Sequence, residues 1–141
     1  MKIPDSIPLY GNPDFRGKCP KEDQEQISAI NRIRQLHPDT FGPLVFHPRN
    51  EQQLKGGQFS AMIKHKAEGL TPGVPDLVIP GMPSLIVEIK RCDRTLSSIS
   101  DEQIDYLEKA IEMGAFAVVA LGAVAAIEAF DKWRLLYYPH L

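Results

Sequence analysis

Gly73-Val-Pro-Asp-Leu-Val-Ile79 and, after a short Pro80-Gly-Met-Pro83 connection, Leu85-Ile-Val-Glu-Ile-Lys90 decide how this chain is read. The first stretch predicts a turn leading into a short buried strand, and the second predicts another strand. Together they carry Asp76, Glu88 and Lys90 inside apolar surroundings, where an unpaired carboxylate costs several kcal/mol or shifts its pKa. Period-2 alternation puts Leu85, Val87 and Ile89 on one face of the second strand and Ile86, Glu88 and Lys90 on the other. Glu88 and Lys90 therefore project side by side, about 6–7 Å apart along the strand. The Pro80–Pro83 connection folds Asp76 back beside them.

Two carboxylates and a lysine converging in this way suit metal-dependent hydrolysis of a phosphodiester. Magnesium and manganese prefer hard oxygen ligands and keep several waters, so two or three carboxylates suffice to hold them. A bound metal lowers the pKa of a water and neutralises charge building on the phosphoryl group. A lysine two residues after the ligand glutamate can orient that water or hold a phosphate oxygen. The competing reading is a surface strand with a Glu–Lys pair and an aspartate in a turn, built from residue types common in any protein. The apolar neighbours of each charge count against it.

Length and composition set the frame. A chain of 141 residues is expected to form one domain with a proper core. Hydrophobic residues at 43% and charged residues at 24% are ordinary for a globular protein. No apolar run approaches the length of a membrane span; the longest, Ala115 to Ile127, is interrupted by Gly122. No basic segment followed by an apolar one opens the sequence, so no secretory signal is read. Cys19 and Cys92 have neither the density of a disulfide scaffold nor zinc-site spacing, which predicts a reduced, cytoplasmic setting. A net charge of −2 does not advertise nucleic-acid binding. The distribution is more informative: Arg49, Lys55, Lys64 and Lys66, with His47 and His65, face a single acid, Glu51. This segment either meets phosphates or is an ordinary solvated face.

Met1 to Pro20 is rich in proline and glycine and lacks apolar periodicity, so it is read as an irregular arm, free to pack on a partner subunit. The domain proper is read over residues 21–141. A first helix is expected from Lys21 to Leu36, with Ile27, Ile30, Ile33 and Leu36 as its apolar stripe and His37-Pro38 as its end. Phe41 to His47 suggests an edge strand, and Gln58 to Glu68 a basic helix closed by Gly69. After the two central strands, a helix is expected over Asp101 to Met113, with Ile104, Leu107 and Ile111 buried. Ala115 to Leu121 reads as a strand buried on both faces, Ala123 to Phe130 as a last helix and Trp133 to Tyr138 as a final strand. The order implies an α/β fold, a mixed β-sheet flanked by helices.

A third acid is sought on the first helix. At 100° per residue, Glu22 lies about 50° from the mean direction of the apolar stripe and Glu25 about 110°, which favours Glu22. Both also suit a helix's first turn, where acids meet the macrodipole favourably. Ser100-Asp-Glu-Gln103 fits a capping box. Alternatively Gln103 reaches the phosphate or the attacking water, and one rotamer is not expected to serve both roles.

In order and spacing, Glu22-x-x-x-Gln26, Lys66-Ala-Glu-Gly69, Gly73-Val-Pro-Asp-Leu77, Ile86-Val-Glu-Ile-Lys-Arg91, Ser100-x-x-Gln103 and the Gly114–Leu121 strand resemble the VRR-NUC family. This is the virus-type replication–repair branch of the PD-(D/E)XK nucleases, and the likeness covers about Glu22 to Phe130, leaving the arm outside. The compact form is similar to stand-alone phage or bacterial members. The resemblance implies a restriction-endonuclease-like core and DNA cleavage dependent on Mg²⁺ or Mn²⁺. It assigns Asp76, Glu88, the backbone carbonyl of Ile89 and Glu22 to the metal, Lys90 to the nucleophilic water and Gln103 to assistance. It also implies a homodimer resembling Holliday-junction resolvases, acting on branched DNA such as four-way junctions. Arg49, Lys55, Lys64, His65, Lys66 and Arg91 are the expected backbone contacts.

Two alternatives keep the fold: a non-catalytic DNA- or partner-binding module, and a flap or single-strand nuclease. Other chemistries find no support. His37, His47, His65 and His140 are scattered, without zinc-ligand spacing. No phosphate-binding G-x-x-x-x-G-K-[ST] loop is present, so no nucleotide cofactor is expected. Ser97, Ser98 and Ser100 have no His–Asp partners in the sequence nearby. Trp133, Tyr137 and Tyr138 are read as core or contact residues rather than base-stacking platforms.

Overall fold

The computed structural model describes residues 1–49, 63–64 and 66–141; Lys55, His65 and most of the basic helix expected over Gln58–Glu68 lie outside them. Its elements are β1 (Leu9–Tyr10), α1 (Glu22–Leu36), β2 (Leu77–Ile79), β3 (Leu85–Lys90), a 3₁₀ turn (Arg94–Leu96), α2 (Asp101–Glu112), β4 (Phe116–Leu121) and α3 (Ala123–Tyr137). The strands form one mixed sheet in the order β1-β4-β3-β2. β4 runs parallel to both β1 and β3, whereas β2 pairs antiparallel with β3.

β3 is interior to the sheet and covered on both faces, so all six of its residues are buried. Leu85, Val87 and Ile89 join Val118 and Ala120 of β4 in a core under α1 and α3, built from Ala29, Ile30, Ile33, Ala126, Phe130 and Trp133. On the other face Ile86, Ala117 and Val119 pack beneath Leu107 of α2. Helices thus cover the sheet from both sides, and Glu88 and Lys90 fall on the α2 face by strand alternation. Helix α2 opens with the expected capping box. No described helix is long and apolar enough to cross a membrane.

Four expectations are corrected. The buried stripe of α1 is Glu25, Ala29, Ile30 and Ile33, while Ile27 and Leu36 are exposed; a run of spacings of three drifts round a 3.6-residue helix, and the mixed spacing of four, one and three holds one face. The Phe41–His47 strand is instead a turn, with Leu44 and Val45 amides both donating to the Phe41 carbonyl, followed by a single bridge between Phe46 and Val78. Trp133 to Tyr137 continues α3, because Ala125, Ala126, Ala129, Phe130 and Trp133 make one helical stripe. The N-terminal arm packs on its own sheet: Ile7 is buried and β1 extends the edge beside β4.

Candidate active site

The β2–β3 pairing brings the acids together. Leu77 is registered opposite Val87, and the Asp76 amide donates to the Val87 carbonyl at 3.1 Å. Asp76 Oδ2 accepts from the Ile89 amide at 2.8 Å, which fixes its carboxylate across the strand beside Glu88. Gly73 makes this seat possible. It has φ +74°, and an added Cβ would lie 2.3 Å from the Glu102 carbonyl oxygen, so the loop rests directly on the backbone of α2.

Glu88 is 1% exposed. Its Oε1 accepts from Gln103 Nε2 at 3.1 Å and lies 3.6 Å from Lys90 Nζ, whereas its Oε2 is buried with no hydrogen-bond partner. Burial first, and then the Asp76 charge, push the Glu88 carboxyl well above the usual carboxylate range, with Lys90 pulling the other way. Lys90 is 3% exposed, and its ammonium also meets Gln103 Oε1 at 3.3 Å and Glu22 Oε1 at 3.5 Å.

Gln103 resolves the choice posed by the sequence, because one rotamer serves both ends. Its Oε1 accepts from the Ser100 amide at 2.9 Å and from Lys90, while its Nε2 donates to Glu88. A carboxamide carries two lone pairs and two N–H donors on separate atoms, so closing the capping box still leaves its amino group for the site. Glu22 reaches Lys90 from the first turn of α1, its Oε2 accepting from Ser97 Oγ at 3.3 Å. Glu25 lies elsewhere: it is buried, and its Oε2 accepts from the Ala123 amide and from the Cys92 thiol, both at 3.2 Å. It thereby supplies an acceptor at the N-terminus of α3, where Gly122 offers no side chain.

The structure therefore gathers Asp76, Glu88, Lys90, Gln103 and Glu22 at one end of β3. Of the expected basic contacts, Arg49, Lys64, Lys66 and Arg91 are among the described residues. Arg49 and Lys64 are exposed, and Lys64 sits 3.8 Å from Glu68; Lys66 is exposed as well. Arg91 is turned to another use, donating from Nε to the Pro20 carbonyl and from Nη2 to that of Cys19. Two further residues surround the cluster. The Asp76 carbonyl lies 2.7 Å from His47 Nδ1 and accepts from a ring protonated there, and Ser97 links the Arg91 amide to Glu22. Ser97 had no sequence signal and His47 only its place in the basic segment, since both contacts depend on where a bridge and a turn place distant segments. A cleft of about 680 Å³ between α1 and α3 contains none of these residues.

The donor set fits a hard divalent cation. Glu88 Oε2 is a buried oxygen without a hydrogen-bond partner, and it stands beside a second carboxylate. Among the described residues no three acidic, histidine or cysteine side chains gather into a ready-made cage, and magnesium asks for none, being held by one or two carboxylates with waters and substrate oxygens.

No family model and no curated protein matches this sequence. Among solved structures the chain is similar to one described as a VRR_NUC domain protein, at 25% identity and a TM-score of 0.67, over 84% of this chain and 92% of the other. With the likeness spanning most of both molecules and a mixed sheet flanked by helices, the resemblance to the VRR-NUC family extends to the structure, which supports a nuclease-family domain of PD-(D/E)XK-like fold.

Proposed function

We propose that the chain is a metal-dependent, structure-specific endodeoxyribonuclease that hydrolyses phosphodiester bonds in branched DNA such as four-way junctions, acting as a homodimer with two sites. The observation that carries this reading is the Glu88 carboxylate, buried beside Asp76 and 3.6 Å from Lys90 with one oxygen unpartnered. A charge left in that position costs several kcal/mol, and such pre-set groups gather at catalytic sites. Mg²⁺ or Mn²⁺ held by Asp76 and Glu88, with the Ile89 carbonyl and Glu22 as further oxygen donors, would neutralise charge on the phosphoryl group and supply a water of lowered pKa.

The remaining work falls to the chain's own groups. Lys90, held among Glu88, Gln103 and Glu22, presents an ammonium able to orient the attacking water or hold a phosphate oxygen. Gln103 keeps Glu88 Oε1 engaged, and the unpartnered Oε2 is the oxygen that would hold a cation. A dimer sets the spacing of two such sites, and that spacing selects the branched substrate.

The test is cleavage of a labelled four-way junction, a flap and a linear duplex in Mg²⁺, Mn²⁺ or EDTA, with Glu88→Ala and Lys90→Ala alongside. Metal-dependent nicking confined to the junction, lost in both variants while DNA binding persists, is expected. Cleavage retained by both variants overturns the site. No cleavage of any substrate by the wild-type chain overturns the nuclease reading in favour of a binding module.

A further inference from the structure

The N-terminal arm carries charge that the catalytic cluster does not use. Residues 16–21, Arg-Gly-Lys-Cys-Pro-Lys, hold three cations and no acid, and Arg16, Lys18 and Lys21 are all exposed. The segment is fastened at several points. The Gly17 amide donates to Asp93 Oδ2 at 3.0 Å, the Asp93 amide donates to Cys19 Sγ, and the Arg91 guanidinium holds the Cys19 and Pro20 carbonyls. Asp93 is itself buried, and its other oxygen binds the Thr95 amide and hydroxyl. These anchors lie just after Lys90 in sequence, and Lys21 directly precedes Glu22, whose carboxylate meets Lys90. The three cations are thus held on a fixed track beside the catalytic end of β3.

The opposite flank has the other sign. Helix α2, which supplies Gln103, exposes Asp101, Glu102, Asp105 and Glu112, and its one lysine, Lys109, is paired with Asp105 at 2.9 Å. A polyanion approaching the site is repelled along α2 and attracted along the arm. Arg16 spends Nη1 on the Pro13 and Phe15 carbonyls, which leaves Nε and Nη2 for an outside acceptor. Asp14 and Asp23 are the exposed acids close by in the sequence, two against the three cations.

We propose that Arg16, Lys18 and Lys21 form a DNA-backbone contact surface that lays the strand across the arm into the catalytic end of β3, independent of base sequence. The proposal rests on the DNA-cleaving reading and adds a surface outside the residues that the family likeness points to. Lysines and arginines that neutralise phosphates release counterions, so each lost contact lowers the slope of log affinity against log salt by about 0.9 on duplex DNA.

The test is equilibrium binding of the full chain to a labelled junction and a duplex in EDTA between low and moderate salt, with cleavage in Mg²⁺ measured in parallel. Lys18→Ala/Lys21→Ala is expected to reduce the slope by about two and to weaken binding on the order of tenfold or more at 0.1 M salt, alike for unrelated sequences. Adding Arg16→Ala lowers the slope further. Arg32→Ala/Lys132→Ala, which removes two exposed cations from α1 and α3, leaves the slope unchanged, and melting curves confirm that each variant folds. A wild-type chain that cleaves DNA, with the same slope in the arm variant, overturns the arm surface and leaves the nuclease standing. A wild-type chain that binds without cleaving, with the slope lost in the arm variant, overturns the cleavage reading and supports the surface. A wild-type chain that binds no DNA overturns both.

Discussion

Gln103 joins a helix cap to the candidate site, and replacing it with glutamate separates the two roles. A glutamate closes a capping box as well as a glutamine, so the Ser100 amide keeps its acceptor and α2 its start. What changes is the group facing Glu88: the Nε2 donor 3.1 Å from Glu88 Oε1 becomes an oxygen. Two unit charges at that distance repel by about 5 kcal/mol at an effective dielectric of about 20. Taking up one proton relieves this, and protonating an ordinary glutamate at pH 7 costs about 3.7 kcal/mol. Burial already raises the proton affinity of Glu88, which lowers that ceiling, so Gln103→Glu is expected to lose about 2–3 kcal/mol of stability at pH 7. For a chain of this length the loss corresponds to a fall in Tm of roughly 6–12 °C.

The sign with pH follows from the shared proton. The carboxyl pKa in the folded variant lies above its unfolded value, so its stability is fully present below the unfolded value and is lost as pH rises through the folded one. The Tm gap between variant and wild type therefore narrows from pH 7 to pH 5. Ser100→Ala is the control: it removes the hydroxyl that accepts from the Gln103 amide at 3.1 Å, at a cost of about 1 kcal/mol, and keeps cleavage. Thermal melts across pH, with junction cleavage at pH 7, read both. Gln103→Glu matching the wild type in Tm and rate at pH 7 would refute the bridging role of this side chain.

Mg²⁺ or Mn²⁺ should stabilise the chain by about 2.7 kcal/mol at a hundredfold excess over Kd, seen as a rise in Tm that EDTA reverses; Asp76→Asn should abolish most of the rise, and an undiminished rise would place the metal elsewhere. Cys92 carries a thiol pushed up to about 11 by burial and by its bond to Glu25. Its alkylation at pH 8 should be slower than in the unfolded chain by a factor on the order of 100, quicken as pH rises toward 11 and quicken in Glu25→Gln; mass-resolved alkylation kinetics check this, and a rate equal to that of the unfolded chain would contradict it.

The sequence carried the centre of the fold more clearly than its margins, for physical reasons. β3 and β4 are short runs buried on both faces, and α2 has a cap and a strong stripe, so local pattern and tertiary environment agree there. The β3 alternation also placed Glu88 and Lys90 on one face, as the two cores bear out. The margins depend on partners distant in sequence. Leu9 and Tyr10 become a strand only because β4 offers an open edge, with the Val119 amide donating to the Pro8 carbonyl. The aromatic residues of 133–138 look like strand formers, yet Trp133 completes a helical stripe that begins eight residues earlier with Ala125 and Ala126. Glu25 was unreadable as a buried residue because its partners, the Ala123 amide and Cys92, come from the far end of the chain. Glu22, one turn before the buried stripe of α1, stays part-exposed and is placed at the site by its contact with Lys90 of β3.

The charges at the β3 end and the aromatic cluster under α3 are two halves of one arrangement. Glu88 with an unpartnered oxygen beside Asp76 does not hold the fold together, because buried ions repay their desolvation only with full pairing. The restraint comes from the other end of the β2–β3 hairpin. There Trp133 Nε1 donates to the Pro83 carbonyl at 2.8 Å, and the Tyr138 hydroxyl accepts from the Met82 amide at 2.8 Å. Phe41, Phe130, Trp133 and Tyr138 stack edge-on or tilted around one another, with ring centroids 5.2–6.2 Å apart. A Cβ on Gly81 would lie 2.8 Å from the Tyr138 hydroxyl and 3.0 Å from the Trp133 ring, so the connection is pressed against these side chains. A slip of one residue would turn Glu88 and Lys90 to the other face of the sheet, into the aliphatic core beneath α1 and α3. Pinning the turn forbids that slip, so aromatic packing at one end of the hairpin sets which face the carboxylates take at the other.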